Sequence, residues 1–404
     1  MASRHAEAVP LGKSTKSRAA AAQARKITRR ARRGRARQLA RVHERQFGVG
    51  SCSFGRIIGC ARSVVKRGGQ VGIAVKASLS VVSAYEVGVM FCGQLWTCAC
   101  CSSVIRSERA AMLKAECERY AADGGQFVML TLTMRHAWGD SLKDERQAMS
   151  KAWASLRCSA AFRRLGREVD GFVSATEVTT GENGWHLHKH VLFWIPLRRR
   201  QECVASPVGF ARRPEVEDYP TGCLSPSESL PAACSRLVEV CALIKPLRGV
   251  WCRLIRLHTG REPVADRAFD VQVMDSGAGV YLSKIGDELV RADSKDRSPF
   301  ALLDDGDEES LDRFVEYADA MKGCHALEYS KGLRELLGSL PEVSDQELVG
   351  QERGGVVVEW FDSATWRAMV DHVDSWGVSE ADRRLTYWED RARRGLVDGV
   401  DPGG

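Results

Sequence analysis

The chain has 404 residues, 44% of them apolar, which suffices for two or three domains with real cores. No apolar run is long enough to span a bilayer, and the basic N-terminus lacks the apolar centre of a signal peptide. A membrane protein and a secreted one are therefore set aside, and a cytoplasmic location is expected. The net charge of +7 conceals an asymmetry: residues 1–45 hold 14 Lys or Arg against only Glu7 and Glu44, while acids gather later, as in LLDDGDEES ending at Ser310. That polarity suits a nucleic-acid binder better than a membrane-surface protein.

In chain order, the first segment is a basic arm over residues 1–47, densest in RKITRRARRGRARQLARVHER. Its Ala/Arg composition predicts disorder or a marginal helix. Arg29, Arg30, Arg32, Arg33, Arg35 and Arg37 would attract phosphate backbones without reading sequence, the alternative being a solvated tail with no partner. LGKST at 11–15 resembles the end of a phosphate-binding loop, but Glu7 stands where that loop needs glycine and no strand precedes it, so no nucleotide cofactor is expected.

Residues 48–106 are cysteine-rich and hold two β-rich runs, 71–75 and 79–82. Clustered cysteines in a reducing compartment more often bind metal than pair as disulfides. Cys98 and Cys101 form a CxxC, and Cys92 and Cys60 could complete a tetrahedral structural zinc site; the competing reading is free buried thiols.

A core is expected over 107–300. It opens with a helix at 107–125, capped at Ser107 and stopped by Gly124-Gly125, then a strand at 126–133 and a helical stretch at 143–164. Strands follow at 171–178 and in GENGWHLHKHVLFW at 181–194, joined by a turn as a hairpin. Residues 198–235 read as a loop-like insertion. A helix at 236–257, a strand at 268–275 and a helix start at 279–291 come next. Residues 301–404 form a helical accessory region, with helical patterns at 312–323 and 330–340. This order predicts an α+β fold with helices packed on an antiparallel sheet.

Two groups in this core carry chemistry. His186, His188 and His190 alternate, so one face of a strand presents three imidazoles. With Glu177 on the neighbouring strand, or Glu182 as a fallback, His188 and His190 could hold a divalent cation and leave open positions for a phosphate oxygen. Mixed N/O ligands suit Mg²⁺ or Mn²⁺, with zinc as a further option; His186 would orient the site, bind the metal or contact DNA. The second group is Tyr281 with Lys284, which share a helix face, so that the ammonium favours the phenolate as a nucleophile. A Tyr packed at a helix edge beside a solvated Lys is the alternative.

FVMLTLTMRH at 127–136, EVTTGENGWHLHKHVLF at 177–193 and VYLSKIGDEL at 280–289, supported by CGQLWTCACC and EYADAMKGCHALEYSKGLR, resemble the rolling-circle replication initiator (Rep) proteins of actinobacterial plasmids, members of the HUH endonuclease superfamily. The resemblance runs from about Cys60 to about Leu340. It implies a ferredoxin-like sheet bearing the histidine strand centrally, a cation held by His188, His190 and Glu177, and Tyr281 as the nucleophile toward a phosphodiester at the plasmid origin. The products would be a 5′-phosphotyrosyl link and a free 3′-OH, which host helicase and DNA polymerase would use without any ATP bound here. Lys284 would stabilise charge on the scissile phosphate. Three positions depart from the family pattern. Lys189 replaces an apolar residue between the ligands, Ala99 replaces a proline in the CxxC, and no glutamate occupies the four positions before Tyr281. Asp275, Asp287 or Glu288 would have to substitute in the final cleavage. Competing readings are a non-catalytic origin- or operator-binding regulator, and a relaxase or transposase of the same superfamily.

Overall fold

The computed structural model describes residues 15–66, 68–78, 81–196, 232–274, 297–339, 341, 343–351, 354–375 and 377–400. In chain order its principal elements are α1 (Thr15–Phe47), β1 (Val71–Ser78), β2 (Val81–Val87), α2 (Ala99–Ala122), β3 (Gln126–Leu132), α3 (Leu142–Arg157), α4 (Ala160–Leu165), β4 (Gly171–Gly181) and β5 (Gly184–Ile195). The chain continues through α5 (Ala232–Thr259), β6 (Phe269–Met274), α6 (Glu308–Met321), β7 (Leu327–Tyr329), β8 (Val356–Phe361), α7 (Ser363–Asp371) and α8 (Glu380–Arg393). Two compact units result, residues 102–348 and residues 1–101 with 349–404. The expected division at 47, 106 and 300 gives way to this one. The arm and the cysteine segment share a unit with the last fifty-six residues, and residues 301–348 belong with the core.

The 102–348 unit is built on a five-stranded sheet in the order β6-β3-β5-β4-β7, antiparallel throughout. The histidine strand β5 is the middle strand. Its second half, Val191–Ile195, is fully buried, as a strand covered on both faces must be. On one face Trp153, Phe162, Phe172 and Phe193 pack edge to face. On the other, Trp194, Phe127, Met129 and Leu192 join Leu113 and Cys117 of α2. α3 buries Leu142, Glu145, Ala148, Met149, Ala152, Trp153 and Leu156, a single stripe at helical spacing.

Several boundaries differ from expectation for local reasons. The helix expected at 107 begins at Ala99, so Ser107 lies inside it and caps nothing. The stretch 143–164 is two helices, because Ser159 accepts from the Phe162 amide and starts α4. Of 330–340 only Leu333–Leu336 is helical, and the residues before it form β7, which pairs with Val173–Ala175. The insertion expected at 198–235 lies outside the described residues as far as 231, while 232–235 open α5; the helix start at 279–291 lies outside them as well.

In the other unit β1 lies between β2 and β8, antiparallel to both. Of the arm, Thr15–Phe47 forms α1, a helix of 33 residues, the second of the two expected forms. Ala36 and Ala40 are wholly buried, and Gly34 is required by close approach, since a Cβ there would lie 2.3 Å from the Gly377 carbonyl oxygen. Arg30, Arg33 and Arg37 are buried too. Arg30 donates to the Ala84 carbonyl, Arg37 to that of Cys60, and Arg33 to the carboxylates of Glu86 and Asp382. These three guanidiniums are occupied within the protein, which corrects their assignment as DNA contacts. The C-terminal segment supplies β8, α7 and α8, with Trp366 and Leu385 in the core against Val71, Ile73 and Val75.

Candidate functional site

The hairpin β4–β5 sets the first site. Its two-residue turn, Glu182-Asn183, is followed by Gly184 at φ +97°, and the register that follows places Glu177 opposite His188 and Ala175 opposite His190. One ligand atom each from Glu177, His188 and His190 lies within 4.8 Å of the others. Glu177 Oε2 is 3.0 Å from His190 Nε2. Burial raises the Glu177 carboxyl, but the hydrogen bond from His190 and the charges of His190, His188 and Arg106 outweigh it and hold the group below the usual carboxylate range.

Two neighbours escaped the sequence reading. Thr131 Oγ1 lies 3.1 Å from His190 Nδ1, which orients the ring and leaves Nε2 directed at Glu177. Arg106, on α2, acts electrostatically on Glu177. Thr131 stands in the run QFVMLTLT, where only its register opposite His190 reveals its role.

His186 does not join the triad: its ring lies 3.9 Å from that of His136 and 6.5 Å from that of His188. Glu182 stays at the turn. Lys189 points to the opposite face, as alternation requires. It is buried there, donates to Thr176 Oγ1 and lies 3.9 Å from Glu328, so it leaves the ligand face undisturbed. Tyr281 and Lys284, with Asp275, Asp287 and Glu288, lie outside the described residues.

The second group is Cys60, Cys92, Cys98 and Cys101, all buried. Sulfur separations are 3.8 Å for Cys60–Cys98, 3.7 Å for Cys60–Cys101 and 3.6 Å for Cys92–Cys101. A disulfide would need about 2.05 Å, whereas a tetrahedron with metal–sulfur bonds of about 2.3 Å has edges of about 3.8 Å. The cluster thus has the spacing of a four-thiolate metal centre. The neighbouring thiols, with the charge of Arg33, hold Cys60 well below the usual thiol range. Ala99 begins α2 between the two CxxC ligands.

Residues 88–201 match the family described as Replication protein, a span containing the triad and three of the four cysteines. Protein rep of Streptomyces lividans is 27% identical over 364 residues, covering 73% of this chain and 76% of that protein. Protein rep of Lentilactobacillus hilgardii is 36% identical over 72 residues, 18% of this chain and 22% of its own length. A Neomycin resistance protein of Streptomyces cyanogenus is 28% identical over 140 residues, 28% of this chain and 32% of that one. No solved structure matches significantly. Among the described residues no helix is long and apolar enough to cross a membrane.

Proposed function

We propose, from the match of residues 88–201 to the replication-protein family and the similarity to a Streptomyces Protein rep, that this chain starts rolling-circle replication of a plasmid by nicking one strand at the origin. The observation that carries the reading is the triad: two imidazoles and a carboxylate on the paired strands β4 and β5, with His190 oriented by Thr131. The element order β3-α3-β4-β5-α5-β6, with spatial order β6-β3-β5-β4, supports a ferredoxin-like HUH core.

Glu177, His188 and His190 would hold Mg²⁺ or Mn²⁺, leaving positions for phosphate oxygens. When bound, the ion polarises the scissile phosphodiester as a Lewis acid. Tyr281 Oη forms the new bond to phosphorus and the bond to the 3′ oxygen breaks. The phenol loses its proton to a base or to water, and the departing oxygen takes one up as the 3′-OH. Lys284 offsets the charge that builds on the phosphate. The 5′-phosphotyrosyl link conserves the bond energy for rejoining, so no nucleotide cofactor is needed. Host helicase and polymerase would act on the exposed strand and primer. Cys60, Cys92, Cys98 and Cys101 would hold a structural zinc, with Arg33 and Arg37 close to offset its excess negative charge. Of the α1 arginines, Arg29, Arg32 and Arg35 are half-buried and keep surface for DNA.

The test is supercoiled plasmid carrying the DNA that flanks this gene, with Mn²⁺ or Mg²⁺. The expected result is nicked circles and a covalent protein–DNA adduct, lost in Tyr281→Phe and in His188→Ala. Binding to that DNA without a nick or an adduct would favour a non-catalytic regulator.

A further inference from the structure

Beside the turn of the β4–β5 hairpin lies an aromatic stack that the nicking chemistry does not use. Its inner rings are Tyr317 and Trp185, with centroids 6.0 Å apart and planes 22° from parallel. Trp185 is fixed by its Nε1–H, which donates to Glu316 Oε2 at 3.0 Å. Arg313 lies between two indoles, its Cζ 4.8 Å from the ring of Trp185 and 4.2 Å from that of Trp138. Its Nη2 donates to Thr180 Oγ1 at 3.0 Å, which holds the guanidinium in place. Trp138 is the outer member, 56% exposed.

The loop that carries Trp138 is held from both sides. The Ala137 amide donates to Asp140, whose carboxylate is clamped by Arg261. The Ala137 carbonyl packs against Gly184, where an added Cβ would lie 2.9 Å from it. His136, two residues earlier, meets the ring of His186. The indole is thus pre-positioned, with one face against a cation and much of its surface open to solvent. His188 is three residues beyond Trp185 along β5, about 10 Å along the strand and on the opposite sheet face. The loop joins the two faces, since His136 meets His186 on the triad face two residues before Trp138, so a single strand leaving the triad around the end of the hairpin reaches the indole.

We propose that Trp138, backed by Arg313, is a stacking platform for a base of the single-stranded DNA next to the nick, its placement resting on the nicking reading above. A rigid exposed indole beside a cation suits this ligand, because every base offers a π face and stacking needs no particular sequence. The immobilised ring loses little freedom on binding, which favours an ordered contact.

The experiment uses the full chain without added Mg²⁺ or Mn²⁺ and without chelator, with a thymidine oligonucleotide of about 20 residues, following affinity and tryptophan fluorescence for wild type, Trp138→Ala and Trp138→Phe. Trp138→Ala should weaken single-strand binding about tenfold, Trp138→Phe should stay within about threefold, and affinity for the corresponding duplex should not move. Melting curves of the variants should overlay wild type, since the side chain is exposed. Unchanged single-strand affinity in Trp138→Ala overturns the platform, as does an equal loss on the duplex. Plasmid nicking by wild type is scored separately. Nicking with an unaffected Trp138→Ala affinity removes the platform and keeps the nickase; no nicking with a tenfold affinity loss does the reverse.

Discussion

Arg33→Met separates a structural arginine from a DNA contact. The guanidinium is 5% exposed, and its Nη2 donates to Glu86 Oε1 at 3.0 Å and to Asp382 Oδ1 at 3.1 Å, both partners buried. Methionine fills much of the same volume but takes the bridging cation from two buried carboxylates, leaving Asp382 with the more distant Arg30 at 3.9 Å. Breaking a buried pair in this way costs about 3–5 kcal/mol. With a urea dependence of about 2 kcal/mol per molar, the unfolding midpoint of the unit should fall by about 2 M. Hydrogen exchange of peptides from β1 and β2 across a urea series reads this unit alone.

The pH dependence should change as well. Burial raises the Asp382 carboxyl, but Arg33 and Arg30 outweigh it and hold the folded group below its ordinary value. Its contribution is therefore present above about pH 4 and is lost as pH falls through the lower folded value. Without Arg33 the folded value rises toward the ordinary one, so the stability that Asp382 contributes above about pH 4 shrinks and the variant should lose less on acidification below that pH than wild type. The slope of log affinity for plasmid against log salt should not change, because a guanidinium already paired inside the protein releases no counterion from DNA. A midpoint shift under about 0.5 M together with a slope shallower by about one would refute the structural assignment.

Glu145 is buried on α3, and neither carboxylate oxygen meets a hydrogen-bond partner among the described residues; burial, then the charge of Asp140, pushes it up to about 8. A raised carboxyl costs stability as pH climbs from its unfolded value, about 4.3, toward the folded one, so Glu145→Gln should stabilise the protein at neutral pH and flatten the pH–melting curve in that window. A variant that melts lower than wild type at pH 7 contradicts this. Gly184→Ala puts a Cβ at φ +97° and 2.9 Å from the Ala137 carbonyl; it should cost about 2 kcal/mol or more by chemical denaturation and slow nicking by shifting the hairpin. Wild-type stability in that variant would show that the turn relaxes freely. Cys98→Ser should remove the bound metal, read by elemental analysis, and expose β1 and β2 to rapid hydrogen exchange, as should chelation of the wild type. Metal content and exchange unaffected by Cys98→Ser would mean the thiols are merely buried.

The sequence determined the members of the Glu/His triad because strand alternation is a local rule: His188 and His190 must share a face, and Glu177 needed only a short hairpin turn to reach them. It also singled out the four cysteines, although the join between Cys60 and Cys92 spans thirty-one intervening residues and is closed only by folding. Long-range partners were beyond its reach. Thr131 orients His190 because β3 pairs with β5, and Arg106 reaches Glu177 from another helix, neither of which any spacing reveals. Charge density misled where burial decides. RKITRRARRGRARQ reads as a solvated arm until Glu86, Asp382 and Glu389, the last two from the far end of the chain, are brought to Arg33 and Lys26. A local pattern fixes the direction in which a side chain points; only tertiary structure supplies what it meets there, and for a charge that partner decides between core and surface.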